Sequence, residues 1–113
     1  MVQVEKNFVD NMFSIKGKVA IVTGATGALG GAVAVGYGFQ GAKVVITARN
    51  EKKLAELAQW MKEQGCDCAY IAGDPANEED VKNMVKFAVD TYGEVNILAA
   101  CHGFNSPKSI VDQ

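Results

Sequence analysis

An apolar run, Val19-Ala20-Ile21-Val22, leads into Thr23-Gly24-Ala25-Thr26-Gly27-Ala28-Leu29-Gly30, and an alanine-rich stretch follows. This order of strand, glycine turn and helix constrains the chain more than any other feature. A strand that ends in such a turn aims the first N–H groups of the next helix at one point, and the helix dipole adds partial positive charge there. The ligand that suits such a point is a phosphate. The three glycines are expected to act differently: Gly24 permits the tight turn, Gly27 lets backbone approach a pyrophosphate without a Cβ in the way, and Gly30 lets the helix sit close on the sheet. The spacing reads as a dinucleotide site, against the plainer alternative of an ordinary strand-to-helix turn.

A complete dinucleotide fold needs two βαβαβ halves, and 113 residues make one domain at most, so the size fits one half. Apolar residues make up 49% and charged ones 21%, with a net charge of −2 and no basic run, which speaks against a nucleic-acid surface. Met1 to Ser14 carries Glu5 and Asp10 among its apolar residues, so it reads as neither a signal peptide nor a membrane span. A soluble, cytoplasmic protein is the expectation. Cys66, Cys68 and Cys101 are odd in number and form no C-x-x-C pair, which suits reduced thiols rather than a disulfide framework.

Lys18 to Thr23 and Lys43 to Ala48 read as buried parallel strands, since their apolar residues run on rather than alternate. The helix between them, from Ala28 to about Gln40, contains Gly31, Gly36 and Gly38; each costs about 1 kcal/mol against alanine, so close packing is expected to offset them. Gly41 stands where a C-terminal cap belongs. Asn50 is placed to cap a second helix with Leu54, Leu57, Ala58 and Met61 on one face, ended by Gly65. Cys68 to Ala72 supplies a third strand. Asn77 opens a third helix whose Val81, Met84, Val85, Ala88 and Tyr92 form a stripe, and Asn96 to Ala100 supplies a fourth strand. Strands alternating with helices imply an α/β fold: a partial Rossmann fold with a parallel sheet in the order 3-2-1-4 and helices on both faces, ending after the fourth strand. Residues 1–13 form an N-terminal arm in this reading, and residues 14–113 the first half of a dinucleotide-binding domain.

These residues resemble the short-chain dehydrogenase/reductase family, whose members carry a Thr-Gly-x-x-x-Gly-x-Gly turn after the first strand. Phe13 to Val19, Gly41 to Asn50 and Tyr92 to Leu98 resemble the family's segments at the entry to the first strand, the second strand and the approach to the fourth. Phe13 to Lys18 and Gly103-Phe104-Asn105 also resemble members that oxidise sugar acids and polyols, such as gluconate 5-dehydrogenases. The resemblance implies hydride transfer between a nicotinamide cofactor and an alcohol or carbonyl. It implies cofactor contacts from Gly24, Thr26, Gly27, Leu29 and Gly30, from Arg49, Asn50 and Lys53, from Asp74, and from Ala100 and Gly103. NADP is expected over NAD, because Ala48 stands where NAD-preferring relatives place an aspartate, and the following Arg49, helped by Lys53, suits a 2′-phosphate.

The departures from the family are specific. Ala28 occupies the usual middle glycine position, and the family's Asn-Asn-Ala-Gly is here Ala100-Cys101-His102-Gly103. Asp74 matches the aspartate that accepts from the adenine amino group, but the next residue, Pro75, has no N–H to give the adenine ring. The family's catalytic serine and Tyr-x-x-x-Lys pair have no counterpart, since Tyr37, Tyr70 and Tyr92 are followed four residues on by Gly41, Asp74 and Asn96. Cys101-His102 has no further ligand at metal spacing, so no metal and no catalytic residue is assigned. Two readings follow: the cofactor-binding part of a dehydrogenase, inactive alone, or a nucleotide- or partner-binding module without catalysis. Ile97 to Ala100 is expected to be an unpaired edge through which chains self-associate, unless Cys101 to Gln113 folds back over it.

Overall fold

Both apolar runs become strands that are buried along their length, because each lies inside a sheet covered on two faces. In the computed structural model, residues 14–101 are described; the expected arm over 1–13 and the segment from His102 onward, Gly103 included, lie outside them. Strand β1 (Val19–Thr23) is buried at every residue, and β2 (Lys43–Ala48) at every residue but Lys43. With β3 (Asp67–Ala72) and β4 (Ile97–Ala100) they form one parallel sheet in the order β3-β2-β1-β4.

Neighbouring residues of β1 point to opposite faces, and each face finds its own helices. Helices α1 (Ala28–Phe39) and α2 (Glu51–Glu63) cover Val22, Val44 and Ile46 with Ala34, Leu54, Ala58 and Met61. On the other face α3 (Glu78–Tyr92) lays Ala88 over Ile21 and Val45, with Phe87, Tyr92 and Val95 around them. Fully burying a side chain such as Ile21, Ile46 or Leu54 contributes roughly 1.5–3 kcal/mol. Among the described residues no helix is long and apolar enough to cross a membrane.

The starts of two helices follow directly from their asparagines. Asn50 Oδ1 accepts from Lys53 N at 3.1 Å and Asn77 Oδ1 from Asp80 N at 3.0 Å, each satisfying an N–H that the helix leaves over. Asn96 ties the entry of β4 to β1 from both sides: its Oδ1 accepts from Val19 N and its N–H donates to Val19 O, each at 2.8 Å.

Two packing expectations need correction. Close packing explains Gly38, where a Cβ would meet Cys66 Sγ at 2.8 Å, but nothing lies within 4 Å of a Cβ built on Gly36. On α3 the expected stripe is only partly covered: Met84 and Ala88 are buried, whereas Val81 and Val85 are exposed. The cause is placement, since α3 packs chiefly on β1 and β2 and turns Met84 and Ala88 toward them, leaving Val81 and Val85 on its open side.

At the amino ends of the strands, Tyr92 Oη donates to Asp67 Oδ1 at 2.8 Å, and Lys43 Nζ lies 5.8 Å from the centre of the Tyr92 ring. Burial, and then the hydrogen bond to Asp67, push the Tyr92 phenol well above its ordinary value. The folded chain therefore holds this proton more tightly than the unfolded chain does. Its contribution to stability is full below the ordinary tyrosine value of about 10 and is lost as pH rises above it. Chemical denaturation at a series of alkaline pH values is expected to show this loss, and Tyr92→Phe to remove that part of it.

Candidate functional site

The glycine turn is held in shape by backbone geometry and two hydrogen bonds. Gly24 has a φ of +66°, in the left-handed region where a side chain is disfavoured. Ala25 N–H donates to Thr47 O at 3.2 Å, tying the turn to β2, and Gly27 N–H donates to Gly24 O at 3.0 Å. A Cβ on Gly30 would fall into the carbonyl of Gly24 and stand 3.1 Å from Ala25 Cα. The tight contact of Gly30 is thus with the turn itself rather than with the sheet as expected. At Gly27 a Cβ would stand 3.4 Å from Gly24 O, an ordinary contact, so the chain's own packing does not require glycine there.

Unlike α2 and α3, helix α1 begins at Gly27 with no side-chain cap and no acidic residue in its first turn. Gly31, which donates to Gly27 O at 2.8 Å, is its first residue with an N–H bond within this turn. The N–H groups of Ala28, Leu29 and Gly30, together with the positive end of the helix dipole, form a mouth suited to an anion.

That mouth opens into a cleft of about 580 Å³ at the carboxyl ends of the strands, lined by Gly24, Thr26, Gly27, Ala48, Arg49, Asn50, Asp74, Pro75, Ala76 and Cys101. Six of the expected positions therefore meet there: Gly24, Thr26 and Gly27 from the turn, Arg49 and Asn50 after β2, and Asp74 after β3. Others do not. Leu29 is 68% exposed and is not in the lining, and Gly30 is buried beneath the turn. Lys53 borders a separate depression with Ala25, Thr26, Gly27, Gly31, Glu56 and Leu57, because the helix started by Asn50 carries it around behind the turn. Ala100 pairs with Thr23 in the sheet, so Cys101 rather than Ala100 reaches the rim. Sequence reasoning does not single out Cys101 for this cleft, and the period-2 geometry of a strand end is the signal that points to it.

The loop after β3 is locked by its own hydrogen bonds. Asp74 N–H donates to Asp80 Oδ2 at 2.9 Å, Ala76 N–H to Asp74 Oδ1 at 2.9 Å, and Asn77 N–H to Asp74 O at 3.0 Å. Of the thiols, Cys68 is buried; burial pushes its pKa up, and its Sγ donates to Ala58 O at 3.5 Å within the core. It has no part in the cleft.

A parallel, doubly covered sheet in the order 3-2-1-4, with a cleft at the carboxyl ends of the strands, defines a Rossmann-like α/β architecture. The short chain dehydrogenase family pattern matches residues 18–113, and the chain belongs to that family. It is 42% identical over 96 residues to Dehydrogenase/reductase SDR family member 4 of Caenorhabditis elegans, covering 84% of this chain and 37% of that protein. In structure it is similar to L-sorbose reductase from Gluconobacter frateurii, solved with NADPH and L-sorbose, with a TM-score of 0.80, 34% identity, and 88% and 38% of the two chains covered. It is also similar to hydroxysteroid dehydrogenase from Escherichia coli, with a TM-score of 0.80, 27% identity, and 85% and 41% covered. The chain spans about two fifths of the length of these relatives. Of the segments read as similar to gluconate 5-dehydrogenases, Phe13 and residues 103–105 lie outside the described residues.

Proposed function

We propose that the cleft binds the adenosine-phosphate side of a nicotinamide dinucleotide, NADP in preference to NAD, as the cofactor-binding part of a short-chain dehydrogenase/reductase. The observation that carries this is the meeting of the uncapped α1 N-terminus with Arg49 in one cleft, at the end of a strand that closes on Ala48. The pyrophosphate would lie on the turn at Gly24 and Gly27, and the ribose beside Arg49 and Asn50. No carboxylate follows β2 in the lining to accept from a ribose 2′-OH, while the Arg49 guanidinium offers a fork of donors to a 2′-phosphate. Asn50 keeps its Oδ1 for the cap, which leaves its amide nitrogen to face the ligand. Within this reading Gly30 acts by shaping the turn, and Lys53 adds only a longer-range positive charge.

Calorimetric titration of the chain with NADPH and NADH tests the assignment. Arg49→Ala should weaken NADPH binding about ten- to a hundredfold, as expected for a lost charged hydrogen bond, and leave NADH nearly unchanged. Equal affinity for the two cofactors in the unmodified chain, or a preference that survives the substitution, would refute it.

We also propose that β4 pairs with β4 of a second copy. Among the described residues β4 has β1 as its only strand neighbour, and Leu98, on the α3 side of the sheet, is 66% exposed. Unpaired N–H and C=O groups beside an apolar side chain favour strand addition. Sedimentation at micromolar concentration should show dimers or larger species, and Leu98→Lys should shift them to monomer; a monomeric unmodified chain excludes this contact.

A further inference from the structure

The loop after β3 presents hydrogen-bond acceptors to the cleft and no donors. From residue 73 to residue 77 every backbone N–H is spent or missing: Gly73 N–H goes to Ala48 O at 2.9 Å, Asp74 N–H to Asp80 Oδ2, and Ala76 and Asn77 N–H back onto Asp74. Pro75 has none. Neither Pro75 nor Ala76 carries a polar side chain, so the wall formed by Asp74, Pro75 and Ala76 offers carbonyl oxygens and a carboxylate. Asp74 Oδ1 already accepts from Ala76, and Oδ2 takes no hydrogen bond among the described residues.

The strand order decides which part of a ligand meets this wall. The turn stands at the end of β1, Arg49 at the end of β2 and Asp74 at the end of β3, side by side in the sheet. A dinucleotide with its phosphates on the turn and its ribose beside Arg49 therefore extends its base to the β3 wall. Adenine brings one donor and one acceptor on its pairing edge, the N6 amino group and N1. Only the amino group finds a partner here, and N1 faces no donor. Guanine brings one acceptor, O6, and two adjacent donors, N1–H and the N2 amino group, and the donors fit the two oxygens of one carboxylate as a fork.

We propose that the base subsite of this chain is acceptor-only and does not select adenine: it holds a purine through the purine's own donors, and guanine suits it at least as well. This rests on the dinucleotide reading of the cleft. A carboxylate that also accepts from Ala76 retains lone pairs for both guanine donors, so guanine leaves one acceptor, O6, unpaired against two bonds made, whereas adenine leaves N1 unpaired against one.

The test is calorimetric titration of the chain with NADH and with reduced nicotinamide guanine dinucleotide, which differ only in the base. The guanine form is expected to bind as tightly as NADH within about threefold, or more tightly. NADH bound more than about threefold tighter overturns the inference while leaving the dinucleotide reading in place. Failure to bind NADH, the guanine form and NADPH alike overturns both; where only NADPH binds, the same comparison is read between NADPH and its guanine counterpart. Pro75→Ala, checked for folding by circular dichroism, restores an N–H to the wall and should move the affinity ratio toward adenine by about fivefold or more. A ratio that Pro75→Ala moves by less than this would also overturn the proposal.

Discussion

Gly30→Ala is expected to destabilise the chain by about 3 kcal/mol or more, the upper range for overpacking, because the added methyl meets backbone that has nowhere to go. Its Cβ would enter the Gly24 carbonyl and press on Ala25 Cα, and Ala25 is itself tied to Thr47. A flexible side chain could swing aside; a turn whose Gly24 already sits at a φ of +66° has little freedom left. Against the roughly 5–15 kcal/mol that separates a typical folded domain from its unfolded state, this is a large share. Thermal unfolding followed by circular dichroism should show a midpoint lower by about 10 °C or more. Gly36→Ala, in the same helix but with open space around its Cβ, should instead gain up to about 1 kcal/mol. Gly27→Ala separates the roles further: its added Cβ makes only an ordinary contact, so folding should survive and any loss should appear in cofactor titration. A Gly30→Ala chain that melts with the unmodified one would refute the reading of this turn.

Legibility in the sequence follows the range of the interaction. Strand order, the glycine turn and both asparagine caps are readable because each rests on a few contiguous residues: an unbroken apolar run for β1 and β2, and an asparagine three residues before the N–H it accepts for α2 and α3. The cleft residues on the turn and after β2 follow from that order. Pairings created by the sheet are not readable in this way. Tyr92 is legible only as one member of a helical stripe, yet its hydroxyl meets Asp67, and Asn96 clamps Val19 from the far end of the chain. The missing N–H of Pro75 is visible in the sequence, but the loss of its neighbours' N–H groups is not. It depends on Asp80 reaching back from the first turn of α3 and on Asp74 folding over Ala76. Helical spacing alone puts Lys53 with Arg49, and the direction of α2 carries it to another depression. Full cover for the stripe on α3 would require a neighbour on its flank that the described residues do not include.

No dehydrogenase turnover is expected from these 113 residues, even with NADPH or NADP present and a panel of polyols, sugar acids and ketones offered. Hydride transfer to a carbonyl leaves charge on oxygen that a positioned acid must neutralise, and such assistance is typically worth about 10² to 10⁴ in rate. The chain's tyrosines do not supply it. Tyr37, on α1, and Tyr70, on β3, are partly buried against the core that α1 and α2 cover. Tyr92 does stand near a lysine, Lys43, but its proton is committed to Asp67 and its pKa is raised, the opposite of what a proton donor at neutral pH needs. It is also at the wrong end of the sheet: Lys43 and Asp67 open β2 and β3, while the cleft lies where those strands close, roughly 16 Å away at the rise of an extended strand. Among the cleft residues Cys101 is the one thiol, and it stands at the rim. Turnover that survives repurification, tracks the protein and disappears in Cys101→Ala would contradict this expectation and assign the proton transfer to that thiol. Turnover that persists in Cys101→Ala would contradict it equally and move the search to His102.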